Sequence, residues 1–192
     1  MRQHLNKPQW GFSLLEALIT ISLIMILAGM AVMNFGSLIP NAKANSAMDQ
    51  MLYQLRSARA RAIAHRREVQ IQFVGTNQLT ISELWPVGVA PAPTTVSFEG
   101  GAKYLVFNAL PDIPAPYRFG NTNPIYFNGQ SGGPPIMKFT TNGSFIDGGN
   151  TLVNGTIFLG ITGNTSTARA VSILGATGRV REYHWDGTQW QE

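Results

Sequence analysis

The chain has 192 residues and a mass of 20.9 kDa, which suits one domain with or without an appendage. Charged residues make up 12% and apolar residues 44%, which excludes a solvated disordered chain, and the absence of cysteine excludes a disulfide framework, a thiolate metal site and a cysteine nucleophile. The formal net charge is +4, but the basic excess is concentrated in residues 43–68, so the chain lacks the uniform basicity of a general nucleic-acid binder.

The first predicted element is an apolar helix over residues 12–39, in which Glu16 is the single charged residue. A helix of this length measures about 42 Å, and a bilayer core needs about 20 apolar residues. The segment is therefore long enough to span a membrane. Arg2 and Lys7 precede it, which favours a cytoplasmic N-terminus.

Two alternatives for this segment are an ordinary cleaved signal peptide and a plain single-span anchor. Residues 28–31 loosely supply a signal-peptidase site, but the apolar run continues well past them. A plain anchor does not explain Glu16, because a carboxylate in hydrocarbon costs roughly 2–3 kcal/mol even on lenient insertion scales.

The stretch Gly11-Phe12-Ser13-Leu14-Leu15-Glu16 resembles the prepilin processing motif of type IV pilins and type II secretion pseudopilins. The resemblance implies that a prepilin peptidase removes the leader 1–11 by cutting after Gly11, and that Phe12 becomes the N-methylated first residue. The new amino group would lie one helical turn from Glu16 of its own or a neighbouring subunit. Pairing between subunits would then set their stagger, as buried polar residues set register in coiled coils.

Residues 40–68 are predicted to form an amphipathic stalk helix that continues the apolar helix, because Met48, Leu52, Leu55 and Ala58 recur at helical spacing. Residues 69–192 are predicted to form a β-rich head, with a hairpin turn at 75–77. The alternating or β-branched segments that we expect to be strands are 69–73, 79–81, 103–107, 125–127, 136–140, 156–161, 168–174 and 179–184. Segments rich in Pro, Gly, Thr and Asn predict long surface loops at 85–97 and 108–124.

A long N-terminal helix packed on an antiparallel sheet is an α+β, pilin-like architecture. Within it, three segments resemble the FimT/GspH-type minor pilins and pseudopilins: the arginine–alanine helix 55–63, the stretch 139–144 and Gly178-Arg179-Val180-Arg181. The absence of cysteine removes the disulfide-closed loop of many major pilins, which favours the minor pilin or pseudopilin branch.

The Gly-Arg-x-Arg stretch is similar to a motif that contributes to DNA binding in FimT-like minor pilins of naturally competent bacteria. Arg179 and Arg181 would share one face of a strand and reach successive phosphates. The alternative is an ordinary last strand with exposed arginines, and the nearby Glu182, Asp186 and Glu192 weaken any basic patch.

Basic side chains of the stalk helix are a second candidate binding surface. Arg56, Arg59, Arg66 and Arg67 are expected to form a stripe that meets neighbouring stalks or phosphates, the alternative being a solvated helix face. Trp185 and Trp190 flank a turn and are expected to close the edge of the sheet rather than to stack bases.

The sequence contains no catalytic motif, and the one short-range histidine–carboxylate pair, His184 and Asp186, is too few ligands for a metal site. We therefore expect a structural protein that is not an enzyme, with no metal and no cofactor. The resemblance implies a minor pilin or pseudopilin in the bacterial inner membrane, head in the periplasm, and then in a filament. Its partners would be prepilin peptidase, other pilins and the inner-membrane assembly platform, with DNA as the alternative partner.

Overall fold

The computed structural model describes residues 12–85, 88, 90–127 and 136–192, and for 31–37 it describes the backbone alone. The chain divides into two compact units, Met1–Ile39 and Pro40–Glu192. Helix α1 runs over Leu14–His65 and contains Pro40. This confirms the predicted helical conformation on both sides of residue 40. No helix in the part of the chain that the structure describes is long and apolar enough to cross a membrane.

Helix α1 ends three residues earlier than the predicted limit of 68, at His65. The amide of Arg67 donates to the carbonyl of Ala62 at 3.1 Å, and the amide of Arg66 donates to the carbonyl of Ile63 at 3.3 Å. Arg66 has a positive φ of 52°. These two bonds and the left-handed residue form a Schellman cap, which stops the helix without glycine or proline. Because residues 41–68 contain neither glycine nor proline, the sequence predicted a longer helix.

The head contains two antiparallel sheets, where a single sheet was expected. The first has the order β3-β2-β1-β6-β7, and the second has the order β11-β10-β9-β8-β4, with β5 also paired to β8. The strands described are β1 (Val69–Val74), β2 (Gln78–Glu83), β3 (Thr94–Ser97), β4 (Lys103–Tyr104), β5 (Ile125–Phe127), β6 (Ile136–Phe139), β7 (Phe145–Asp147), β8 (Gly155–Ile161), β9 (Asn164–Leu174), β10 (Arg179–Trp185) and β11 (Trp190–Gln191).

The main hydrophobic core lies between the head portion of α1 and the two sheets. The helix contributes a buried stripe at the spacing that its sequence predicts, which includes Met51, Leu55, Ala58 and Ala62. Both sheets contribute alternate residues of their strands, among them Ile71 from β1 and Val171 from β9. A smaller apolar cluster, which includes Ile113, Tyr117, Phe158 and Tyr183, packs loop residues against the other face of the second sheet.

Most of the predicted strands form, and the hairpin between β1 and β2 turns at 75–77 as expected. Segment 85–97 is not wholly a loop, since β3 adds to the edge of β2. The predicted strand 103–107 was too long, since β4 ends at Tyr104. The Leu105 amide still bonds to the Phe158 carbonyl of β8 at 3.0 Å, and the chain then turns, with the Leu110 amide bonded to the Phe107 carbonyl at 2.9 Å. Strands β7 and β11 were not predicted. They have three and two residues, and segments this short carry little alternation of apolar and polar residues.

Candidate functional sites

The N-terminal processing motif meets helix α1 at Ser13. The side-chain oxygen of Ser13 accepts a hydrogen bond from the Glu16 amide at 3.1 Å, and its carbonyl accepts one from the Ala17 amide at 3.2 Å. Ser13 is therefore the N-cap of α1, and Glu16 is the third helical residue. Ser-x-x-Glu is also the pattern of a capping box. Gly11 and the rest of the predicted leader, residues 1–11, lie outside the described residues.

Glu16 lies in the first turn of α1 and is exposed. Among the described residues, its carboxylate forms no ion pair. A carboxylate in the first turn is stabilised by the positive end of the helix dipole. Phe12 is also exposed, at 79%. An amino group created at Phe12 would lie close to this carboxylate in sequence and would carry the opposite charge.

Large apolar side chains are exposed on the first unit of the chain. The following are each more than half exposed: Leu14, Leu15, Leu18, Ile19, Ile21, Leu23, Ile24, Met25, Ile26, Leu27, Met30, Leu38 and Ile39. Exposed apolar surface on this scale is typical of a segment that contacts lipid or other helices.

The three head segments that carry the family resemblance meet at one point. The Nε of Arg59 donates to the Gly143 carbonyl at 3.1 Å. Gly178 packs against the same carbonyl so closely that an added Cβ would lie 2.0 Å from its oxygen. Both glycines have positive φ, 83° for Gly143 and 60° for Gly178. This contact joins α1 to the β6–β7 turn and the β9–β10 turn. It explains Gly178 by packing, whereas Gly143 is explained by its positive φ.

The two arginines that follow Gly178 have different environments. Arg179 is exposed, whereas Arg181 is half-buried and donates to the carboxylate of Glu192. The Arg181 guanidinium also lies 4.8 Å from the centre of the Tyr117 ring. Desolvation, the largest single effect, lowers the pKa of Arg181, but the charges of Glu192 and Tyr117 and the hydrogen bonds to them together raise it above its ordinary value. Strand β10 places both residues on one face, but only Arg179 presents an unpaired charge among the described residues.

The turn between β10 and β11 accounts for the contacts of Asp186, Trp185 and Trp190. Asp186 Oδ1 accepts hydrogen bonds from the amides of Gln189, at 2.8 Å, and Thr188, at 2.7 Å, which hold the pKa of Asp186 far below its ordinary value. Trp190 is buried and donates from Nε1 to the Pro111 carbonyl at 2.8 Å. Trp190 lies in β11, the edge strand of the second sheet, and the centre of its ring is 5.5 Å from that of Trp185.

Among the described residues there is no group of three histidine or acidic side chains that could hold a metal ion. The helix arginines do not form the single stripe that we expected. Arg56 is exposed, Arg59 is bonded to Gly143, Arg66 caps the helix and the Arg67 guanidinium lies 3.9 Å from the centre of the Trp85 ring. The Schellman cap ends the helical periodicity between Arg59 and Arg66, so their side chains do not share a face.

Sequence reasoning missed Arg169, which is 4% exposed and lies in the middle of β9. Its guanidinium donates to Asn45 Oδ1 at 2.7 Å, Asn41 Oδ1 at 3.3 Å and the Ser166 carbonyl at 2.9 Å. Burial lowers its pKa. No carboxylate pairs with it among the described residues. The available signal was a lone charge inside the otherwise apolar strand 168–174.

Residues 7–32 match the family model described as the prokaryotic N-terminal methylation motif. A motif of this kind is found at the N-terminus of type IV pilin-like proteins, and it implies processing by prepilin peptidase and assembly with other pilins. The fold itself is α+β: a long helix followed by antiparallel sheets that pack against its head portion.

Two crystal structures of the type IV minor pilin FimU from Pseudomonas aeruginosa, in space groups P21 and P65, are similar to the chain. The first has a TM-score of 0.49 at 18% identity, covering 79% of this chain and 94% of FimU. The second has a TM-score of 0.47 at 19% identity, covering 77% and 97%. No curated protein matches the chain significantly.

Proposed function

We propose that this chain is a minor pilin or pseudopilin, a structural subunit of a type IV pilus or a type II secretion pseudopilus. The observation that carries the proposal is the methylation motif at 7–32, with its acidic residue, Glu16, in the first turn of a long helix. Cleavage after Gly11 and methylation of Phe12 would leave this helix as the N-terminus of the mature protein. Its roles would be in filament initiation, at the tip or in assembly, within the FimT/GspH-type subgroup.

Before assembly, the apolar segment 12–39 would hold the protein in the inner membrane, with a cytoplasmic N-terminus and a periplasmic head. Its exposed apolar side chains support this placement, since they need either lipid or neighbouring helices as partners. The inner-membrane assembly platform would then transfer the subunit into the filament, where Glu16 would pair with the Phe12 amino group of a neighbour.

Intact mass and N-terminal sequencing of the protein from its host membrane test this proposal. We expect a chain that starts at Phe12 and is heavier by one methyl group than the unmodified sequence. A chain that still starts at Met1, or that is cut near Ala31, contradicts it.

The alternative function is DNA binding during uptake, and the exposure of Arg179 supports it. The pairing of Arg181 with Glu192 argues against it, because that guanidinium already has an anionic partner. A salt-sensitive shift of duplex DNA that is lost in Arg179→Ala and Arg181→Ala would favour this alternative. An unchanged shift in both variants would exclude these two residues from DNA binding.

A further inference from the structure

A groove with a volume of about 540 Å3 lies where helix α1 ends, and Arg66, Arg67 and Trp85 are among the residues that line it. We call it the Arg–Trp groove. It is separate from the N-terminal motif, and its lining residues include neither Arg179 nor Arg181. The filament function proposed above assigns no role to it.

The Arg–Trp groove contains a flat cationic platform. The guanidinium of Arg67 lies 3.9 Å from the centre of the Trp85 ring, which is the distance of a cation–π contact. Trp85 is nevertheless 39% exposed. A tryptophan whose role was to fill the core would be buried, so part of this indole is available to a partner.

The two arginines of the groove have no acidic partner among the described residues. Glu68, which also lines the groove, forms an ion pair with Lys138 Nζ at 3.0 Å, and Glu83 is hydrogen-bonded to His65 Nδ1 at 3.2 Å, so the nearby carboxylates have other partners. Arg66 is exposed and Arg67 is partly exposed. Their charges are therefore directed to a partner outside the chain or to solvent.

The backbone of Arg66 adds an independent observation. Its φ of 52° places it in the left-handed region, at the helix-capping position that glycine or asparagine normally occupies. A long side chain in this conformation is strained, and strained positions are concentrated at functional sites. Glycine would cap the helix better, so the arginine points to a use for its side chain.

We propose that the Arg–Trp groove binds single-stranded nucleic acid. A base would stack on the Arg67–Trp85 platform, and the Arg66 guanidinium would contact the adjacent phosphate. Aromatic platforms beside cationic side chains are the usual means of binding single strands without sequence preference. An acidic polypeptide would satisfy the two arginines, but it would leave the exposed indole without a planar partner.

The test is the fluorescence anisotropy of a labelled oligo(dT) 12-mer, titrated with the full chain in detergent micelles at 50 mM salt. Arg66→Gly is the decisive variant, because it removes the charge and relieves the left-handed strain together. We expect its thermal midpoint to be unchanged or higher and its affinity to fall on the order of five- to tenfold. The slope of log K against log salt should fall in magnitude by about 0.7, the value for one phosphate contact on a single strand.

Two further variants complete the experiment. Trp85→Ala should weaken binding on the order of tenfold, the typical effect of losing one base–aromatic stack. Arg118→Ala, which removes an exposed arginine elsewhere on the head, is the matched control and should bind like the wild type.

Three results would overturn the proposal. The first is equal affinity of Arg66→Gly and Arg118→Ala for oligo(dT). The second is displacement of the oligonucleotide by polyglutamate as effectively as by unlabelled oligo(dT), which would identify an acidic protein as the partner. The third is full binding by Trp85→Ala. A thermal midpoint of Arg66→Gly at or above that of the wild type ensures that a loss of binding is not a result of unfolding.

Discussion

Arg59 and Gly143 are 84 residues apart in the sequence and are joined by a hydrogen bond of 3.1 Å from a side chain of α1 to a turn of the first sheet. Gly178, from a turn of the second sheet, packs on the same carbonyl. The contact thus connects all three layers of the head. Its closeness makes glycine at position 178 a requirement of packing.

Gly178→Ala should destabilise the head by about 2–3 kcal/mol, from backbone strain at positive φ and a clash with the Gly143 carbonyl. Chemical denaturation followed by circular dichroism measures the change. Gly75→Ala is the matched control, because Gly75 has nearly the same φ, 58°, and an added Cβ there meets nothing within 4 Å. It should cost about 1 kcal/mol, from backbone strain alone. Equal effects of the two variants would refute the packing role of Gly178.

Glu16→Gln should abolish incorporation into filaments while leaving the denaturation midpoint of the head unchanged, because the neutral amide removes the charge that we propose to set the register. Pelleting of sheared filaments measures incorporation. Ser13→Ala separates this role from helix capping, since it removes the N-cap at a cost of about 1 kcal/mol but keeps the Glu16 charge. If Ser13→Ala and Glu16→Gln reduce incorporation equally, Glu16 acts as a helix-stabilising residue and not as a register device.

Arg169→Ala should lower the free energy of unfolding by about 2–4 kcal/mol, because it removes charge-assisted hydrogen bonds and leaves a cavity in β9. A double-mutant cycle with Asn45→Ala isolates the 2.7 Å bond between the two side chains. We expect a coupling of about 1.5–3 kcal/mol. Additive effects of the two substitutions would show that this bond contributes no coupling.

Asp186 predicts a pH dependence of stability. Its folded pKa is below the ordinary value of 3.8, because the amides of Gln189 and Thr188 stabilise the charged form. Its contribution is therefore fully present above pH 3.8 and is lost as the pH falls through the folded pKa. The stability difference between wild type and Asp186→Asn should be constant from pH 5 to 7 and should shrink below pH 4. A difference that grows on acidification would contradict this sign.

The sequence predicted the elements that depend on local pattern. The buried stripe of α1 around Leu55, the β1–β2 hairpin and strand β10 all follow from periodicity and turn residues. It did not predict the division into two sheets, which depends on pairings such as that of β1 with β6, whose paired residues are 64 to 70 positions apart. The cap at Arg66 was equally invisible, because it depends on a left-handed arginine and not on glycine.

Among the candidate sites, too, the sequence predicted those that depend on neighbouring residues and not those that depend on contacts between distant residues. The processing motif around Gly11 and Glu16 is contiguous, so it is readable from the sequence. The environments of Arg179 and Arg181 looked equivalent, yet Glu192 reaches only the second of them. Arg169 and the Arg67–Trp85 contact depend on residues brought together by folding, so sequence spacing carried no signal for either.

The side-chain bonds of Arg59 and Arg169 hold the head portion of α1 at separate points along its length, through Gly143 and Asn45. A pulling force along the axis of this helix would load both bonds in shear, together with the buried stripe between them. Shear geometry requires contacts to break together and not one after another. In the filament proposed above, a load along this helix would be shared between these two bonds and the buried stripe.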